Sequence, residues 1–302
     1  MTRLLHALIA ALLGLTGAAN GETGAVRMST APQRYRTPIF ADALPYASQV
    51  YATRPNLVTG APVELRLSVY TATGDTQQLR PLIVWIHGGA FLVGSRGEMA
   101  GEARAWARLG YVTATIDYRL DPGNQCLQVQ FNLLPNPVDY QRERLRCERA
   151  ILGARDDAAA AIAWLRANAS RYRIDPTRIV VGGASAGAVT ALHVGQTLNV
   201  PGSPAPAASR VSAVLSMSGC NYVDGSIDAA DAPIASLASG KDPLVPFACT
   251  HSVVNTAEAL GTPVWRNHFT EESGHAQTLY RAHQDEVDRG WRLFLVDVLD
   301  LP

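Results

Sequence analysis

Along this chain the apolar positions change period several times. Val63, Leu65, Leu67 and Val69 alternate with polar neighbours, the pattern of a strand buried on one face. Leu82 to Ile86 is continuously apolar, as a strand covered on both faces must be. A helical pattern over 97–109 and an apolar strand over 111–117 follow. Residues 154–173 are Ala-rich with good helix formers, leading to a strand at 179–181, a helix over 186–198 and a strand over 211–216. The alternation continues with a strand at 233–238, a helix near 253–260, a strand at 264–269 and a helical stretch over 277–299. Strands separated by helices predict an α/β architecture, a mostly parallel sheet with helices on both faces. Two stretches depart from this rhythm. Residues up to about 61 are rich in Pro and short polar side chains and read as irregular. Residues 121–152 carry Pro122, Pro135, Pro137 and a charged run over 141–149, and read as a small lid-like excursion.

The first residues are a different kind of sequence. Arg3 gives a positive start, an apolar run from Leu4 to Leu15 is broken only by His6, and Gly17, Ala18 and Ala19 follow. That is the layout of an export signal over residues 1–19, cleaved near Ala18 or Ala19. A membrane anchor would need ~20 apolar residues, more than this run supplies. Residues 20–302 then suit a single domain, able to bury roughly three quarters of its unfolded surface. Lys plus Arg and Asp plus Glu balance at 26 each, so no net field attracts nucleic acid or anionic lipid. Export makes the four cysteines, Cys126, Cys147, Cys220 and Cys249, disulfide candidates with three possible pairings. Their spacing does not suit a metal site, and no cofactor is expected. Asn168-Ala169-Ser170 matches a glycosylation sequon but falls within a helical pattern.

The candidate chemistry begins at Gly183-Ala184-Ser185-Ala186-Gly187, a G-x-S-x-G turn between a strand and a helix. On so sharp a turn the backbones crowd, the flanking residues must be small, and the Ser is pushed out at the top of the sheet. The following helix aims its positive end at the same place. A serine hydroxyl needs a base and an orienting acid, which on such a turn come later in the chain, acid before base. His275, after the strand at 264–269 and preceded by Gly274, is the expected base; His193, His251, His268 and His283 are its rivals. His193 and His268 fall within a helix and a strand, His283 well inside a helix, and His251 is the closest competitor. Asp242, in Ser239-Gly240-Lys241-Asp242-Pro243, is the expected acid, with Asp224, Asp228 and Asp231 as alternatives. The turn His87-Gly88-Gly89-Ala90 offers unobstructed peptide N–H groups, so Gly89 and Ala90, with Ala186, are the expected oxyanion donors.

With these residues assembled, the chain resembles the carboxylesterase/lipase branch of the α/β-hydrolases, near the feruloyl-esterase-like and hormone-sensitive-lipase-like esterases. The stretches PLIVWIHGGAF, ATIDYRL, DPTRIVVGGASAGA and SGKDPLVPF, with Gly274-His275, carry the resemblance across about 63–300. It implies a sheet of about eight strands, a Ser185–Asp242–His275 triad and cofactor-free hydrolysis of carboxylic esters of small or medium acyl groups. Polyesters and feruloyl esters are alternative substrates, and an inactive binding module on the same fold is the alternative from another class. Two departures stand out. Ala90 replaces the third Gly of H-G-G-G, which a backbone donor tolerates if no positive φ is needed there. Ser239-Gly240-Lys241 stands where the family often has H-G-T. In this frame Cys220 and Cys249 fall on neighbouring loops at the active-site rim and are expected to pair, and Cys126–Cys147 would close the excursion on itself.

Overall fold

The computed structural model describes residues 33–198, 207–223 and 227–302. The expected export signal and Asp224 lie outside these residues. Within them the chain runs β1 (Ala43–Pro45), β2 (Gln49–Pro55), β3 (Pro62–Ala72), β4 (Arg80–Ile86), α1 (Ala100–Ala107) and β5 (Val112–Ile116). There follow α2 (Cys126–Gln130), α3 (Pro137–Ala167), α4 (Ala169–Tyr172), β6 (Ile174–Ala184) and α5 (Ala186–Thr197). The last part is β7 (Ala213–Met217), β8 (Ile234–Ser239), α6 (Phe247–Ala259), β9 (Val264–Phe269), α7 (Ala276–Ala282) and α8 (Gln284–Val298).

One nine-stranded sheet organises the described residues, in the order β1-β3-β5-β4-β6-β7-β8-β9, with β2 also paired to β3. From β5 to β9 every pairing is parallel; β3 is antiparallel to β5. The mostly parallel sheet expected from the sequence is thus present, with one strand more than the resemblance implied. The extra order lies in the Pro-rich region read as irregular, where β1 and β2 pair with β3. Their prolines, Pro45 and Pro55, fall at strand ends on the sheet edge, where a missing N–H costs little.

Period two on the inner strands feeds two cores. Leu82, Val84 and Ile86 of β4 face one side, with Ile151, Ala154, Ala158 and Leu165 of α3. Ile83 and Trp85 face the other, with Trp106 of α1 and Trp291 and Leu295 of α8. All of β4 is buried, as its unbroken apolar run requires.

The largest difference from the sequence expectation is α3. The break expected near residue 152 does not occur; one 31-residue helix continues through it. Asn136 caps it by accepting the N–H of Val138 at 2.9 Å, and Pro137 occupies the first turn. Cys147, Ala150, Ile151, Ala154 and Ala158 form a buried stripe at helical spacing. Most of the charged run stays outside that stripe, with pairs such as Arg144–Glu148 at i,i+4, although Glu143 is buried. At the C-terminus the single helical stretch expected over 277–299 is two helices. They part at His283, which lies at the junction and not well inside a helix. No helix among the described residues is long and apolar enough to cross a membrane.

Candidate active site

Ser185 stands between β6 and α5 with φ 55° and ψ −120°, a conformation L-residues rarely adopt. The neighbouring glycines make the turn possible. A Cβ on Gly183 would overlap the Gly187 backbone, and one on Gly187 would overlap the Ile86 carbonyl. Ser185 N–H donates to Met217 O at 2.9 Å, tying the turn to the end of β7.

The strand order brings the other candidates to the same edge of the sheet. Asp242 follows β8 and His275 follows β9, and these strands lie successively beyond β7. His275 Nδ1 lies 2.9 Å from both Asp242 carboxylate oxygens, as a donor to an ionised acceptor. The Asp242 side chain is 2% exposed. Burial alone would raise its pKa, but hydrogen bonds from His275 and from the N–H groups of Val245 and Leu244 outweigh burial and hold it below the usual carboxylate range. His275 Nε2 is buried without a hydrogen-bond partner among the described residues. The link to Ser185 Oγ is therefore not a formed hydrogen bond in this structure. The Ser185 and His275 segments are joined through β7 instead. Met217 O accepts the Ser185 N–H, and Ser218 Oγ accepts the N–H of Ala276 at 2.9 Å. Sequence reasoning missed Ser218, which no motif marks. Ser239 Oγ, donating to Gly274 O at 2.6 Å, further knits the acid and histidine loops.

The remaining candidates are engaged elsewhere. His193 is buried in α5, its Nδ1 on Val189 O and its Nε2 on Val223 N. His268 Nε2 meets Ser236 Oγ at 3.1 Å, and His251 stacks on Phe247. His283 pairs with Glu272 at 2.7 Å and stacks on Phe269. Asp231 accepts the Asp228 N–H, and burial pushes its pKa up to about 7. Of the five histidines weighed, His275 alone is bonded to a weighed acid among the described residues.

The loop after β4 lies against the turn. A Cβ on Gly88 would come within 3.3 Å of the Ser185 Cβ. Tyr118 OH donates to His87 O and Gly88 O, both at 3.1 Å, and its ring stacks on His87. Among the described residues no hydrogen bond uses the N–H of Gly89 or Ala90. Ala90 has φ 53°, so the condition under which an Ala is tolerated without strain is not met: the turn holds it where a Gly would be relaxed.

Ala90, Ser185 and Ala186 open onto one cavity of about 250 Å³. Leu127, Ile151, Val189 and Tyr222 contribute to its wall, as do both cysteines of the Cys126–Cys147 disulfide. Gln130 Nε2 donates to Leu244 O, closing α2 onto the acid loop. Cys220–Cys249 is the second disulfide, with Cα atoms 5.7 Å apart. The described residues contain no group of three or more His, Cys, Asp or Glu able to hold a metal ion.

A family model described as an alpha/beta hydrolase fold matches residues 137–244, and another described as BD-FAE matches 67–130. Secreted lipase 5 of Gibberella zeae is 33% identical over 124 residues, 40% of this chain and 20% of that protein. Para-nitrobenzyl esterase of Bacillus subtilis is 34% identical over 127 residues, 42% of this chain and 23% of that protein. The chain thus spans about a fifth of the length of these relatives. Esterase 2 of Thermogutta terrifontis, phosphorylated by paraoxon, shares the fold at a TM-score of 0.59 and 19% identity, covering 83% of this chain and 93% of that one. The two family models fall one after the other on the H-G-G-A loop and on the stretch from Ser185 to Asp242, and the sheet is that of the structural neighbours. The chain has the α/β-hydrolase fold, and the sequence relatives it matches in part are esterases and lipases.

Proposed function

We propose that this chain is an exported serine hydrolase that cleaves carboxylic esters of small or medium acyl groups through an acyl-enzyme. The observation that carries this reading is the Asp242–His275 pair. It leaves the imidazole Nε2 unpartnered at the sheet edge where the strained turn presents Ser185. With Nδ1–H committed to Asp242, Nε2 holds the free lone pair of the neutral ring and is the basic atom.

In the first half-reaction Ser185 Oγ attacks the ester carbonyl carbon while His275 Nε2 takes its proton. Asp242 stabilises the imidazolium so formed. The carbonyl oxygen becomes an oxyanion, bound by the N–H groups of Gly89, Ala90 and Ala186. Each such donor contributes ~2.7–4 kcal/mol to the barrier reduction. As the C–O bond breaks, the leaving alkoxide takes the proton from His275. A water then repeats the sequence on the acyl-enzyme, releasing the acid and restoring Ser185. The cavity of about 250 Å³ beside Ser185 suits a short or medium acyl or alcohol group. Residues 121–152 serve as the wall of that cavity, within a single domain spanning 20–302. Two disulfides and the sequence of residues 1–19 support export.

Ser185→Ala tests the reading. Hydrolysis of a short p-nitrophenyl ester is expected to vanish with the melting temperature unchanged. Retained turnover would contradict it.

A further inference from the structure

One polar group of the cavity is unused. The Tyr222 hydroxyl is buried and has no hydrogen-bond partner among the described residues, while its side chain lines the cavity with Ser185, Ala186 and Val189. A buried tyrosine hydroxyl normally finds a partner, because leaving its bonds unmade forfeits those it had in water. Of the wall's other polar side chains, Gln130 donates to Leu244 O and Arg144 is paired with Glu148, while Tyr140 is only half-buried, so Tyr222 carries the buried unpartnered hydroxyl.

The backbone carrying Tyr222 is pinned on both sides. Cys220 is bridged to Cys249, and Asn221 Nδ2 donates to Gln196 Oε1 at 3.0 Å. Val223 N–H donates to His193 Nε2 at 3.3 Å. Burial lowers the His193 pKa to about 4, so the ring is neutral at working pH. Its Nδ1–H is spent on Val189 O and its Nε2 remains an acceptor. Three anchors therefore fix the segment while the phenol stays free, the arrangement of a preorganised donor. Burial, reinforced by the Asp242 charge, raises the phenol pKa, which keeps the proton in place. Phe91, Ile151 and Val245 supply apolar wall in the same cavity.

We infer that Tyr222 is a specificity-determining residue, its hydroxyl donating a hydrogen bond to an oxygen in the ester half that fills the cavity. The substrates favoured are esters carrying a hydroxyl, ether or keto oxygen in that half, over plain hydrocarbon ones. The inference rests on the esterase reading and adds a substrate class to it. A site built to bond a polar atom rejects the analogue lacking it far more strongly than an apolar wall rejects an added methylene.

The experiment measures kcat/KM for wild type and Tyr222→Phe on esters with one ether oxygen placed at successive chain positions, each against its all-methylene isostere. One series varies the acyl chain and one the alcohol. Wild type is expected to prefer an ether ester in one series, and the variant to lose that preference by ~10–100-fold. The preference is read as the ratio within each pair, and the melting temperature should hold, since the lost hydroxyl bonds nothing among the described residues. An equal change in both members of every pair, an unchanged preference, or no ether preference in wild type would overturn the inference and leave the esterase reading standing. Failure of wild type to hydrolyse any of these esters would overturn the esterase reading and this one with it.

Discussion

Asp242 keeps its charge against burial, and the cost of doing so is offset by three hydrogen-bond donors: His275 Nδ1 and the N–H groups of Leu244 and Val245. Its folded pKa lies below its unfolded value of ~3.9. The stability it contributes is therefore present above about pH 4 and lost as pH falls through the folded value. Asp242→Asn retains an acceptor for the backbone donors but removes the charge facing the imidazolium. We expect kcat to fall ~10³–10⁴-fold with little change in KM. The difference in unfolding free energy between variant and wild type should shrink toward zero below about pH 4. A variant with near-normal kcat, assayed on the same p-nitrophenyl ester, would remove Asp242 from the proposed chemistry. Ala90 belongs to the same scale: its positive φ costs ~1–2 kcal/mol in a turn where the family commonly has Gly.

At the scale of elements, the chain's own pattern revealed most of the inner sheet. The period-two and unbroken apolar runs of β3, β4 and β5 need no tertiary information to be read. Edge strands β1 and β2 were not legible, because short Pro-bearing segments become strands only through pairing with β3. Nor was the continuity of α3, whose charged outer face masks a stripe visible only once Cys147 and Ile151 are seen to be buried. In the candidate site, Ser185, Asp242 and His275 could be named from turn chemistry and chain order. Ser218 and Tyr222 could not, since their placement depends on how neighbouring strand ends meet. The Cys126–Cys147 bridge joins α2 to α3 in the cavity wall across a separation of 21 residues. Replacing both cysteines with Ser should lower stability by ~3 kcal/mol in denaturant titration and raise KM for the ester, by freeing one wall of the cavity. An unchanged KM would show that the wall is held without the bridge.

For the whole molecule, the sheet is what makes a site from distant residues. Parallel strands β6, β8 and β9 end on one edge, with β7 between them carrying the bonds that tie the Ser185 turn to the His275 loop. The two cores clamp that sheet from both faces, so the edge is rigid where the chemistry is proposed. The proposed chemistry requires that this geometry make Ser185, and no other residue, a nucleophile activated by His275. Covalent labelling with a fluorophosphonate, located by peptide mass spectrometry in wild type and in His275→Ala, tests it most directly. One adduct is expected, on Ser185, formed with loss of ester hydrolysis and strongly slowed in the variant. An adduct on another residue, or a protein that hydrolyses esters while Ser185 stays unlabelled, would contradict it.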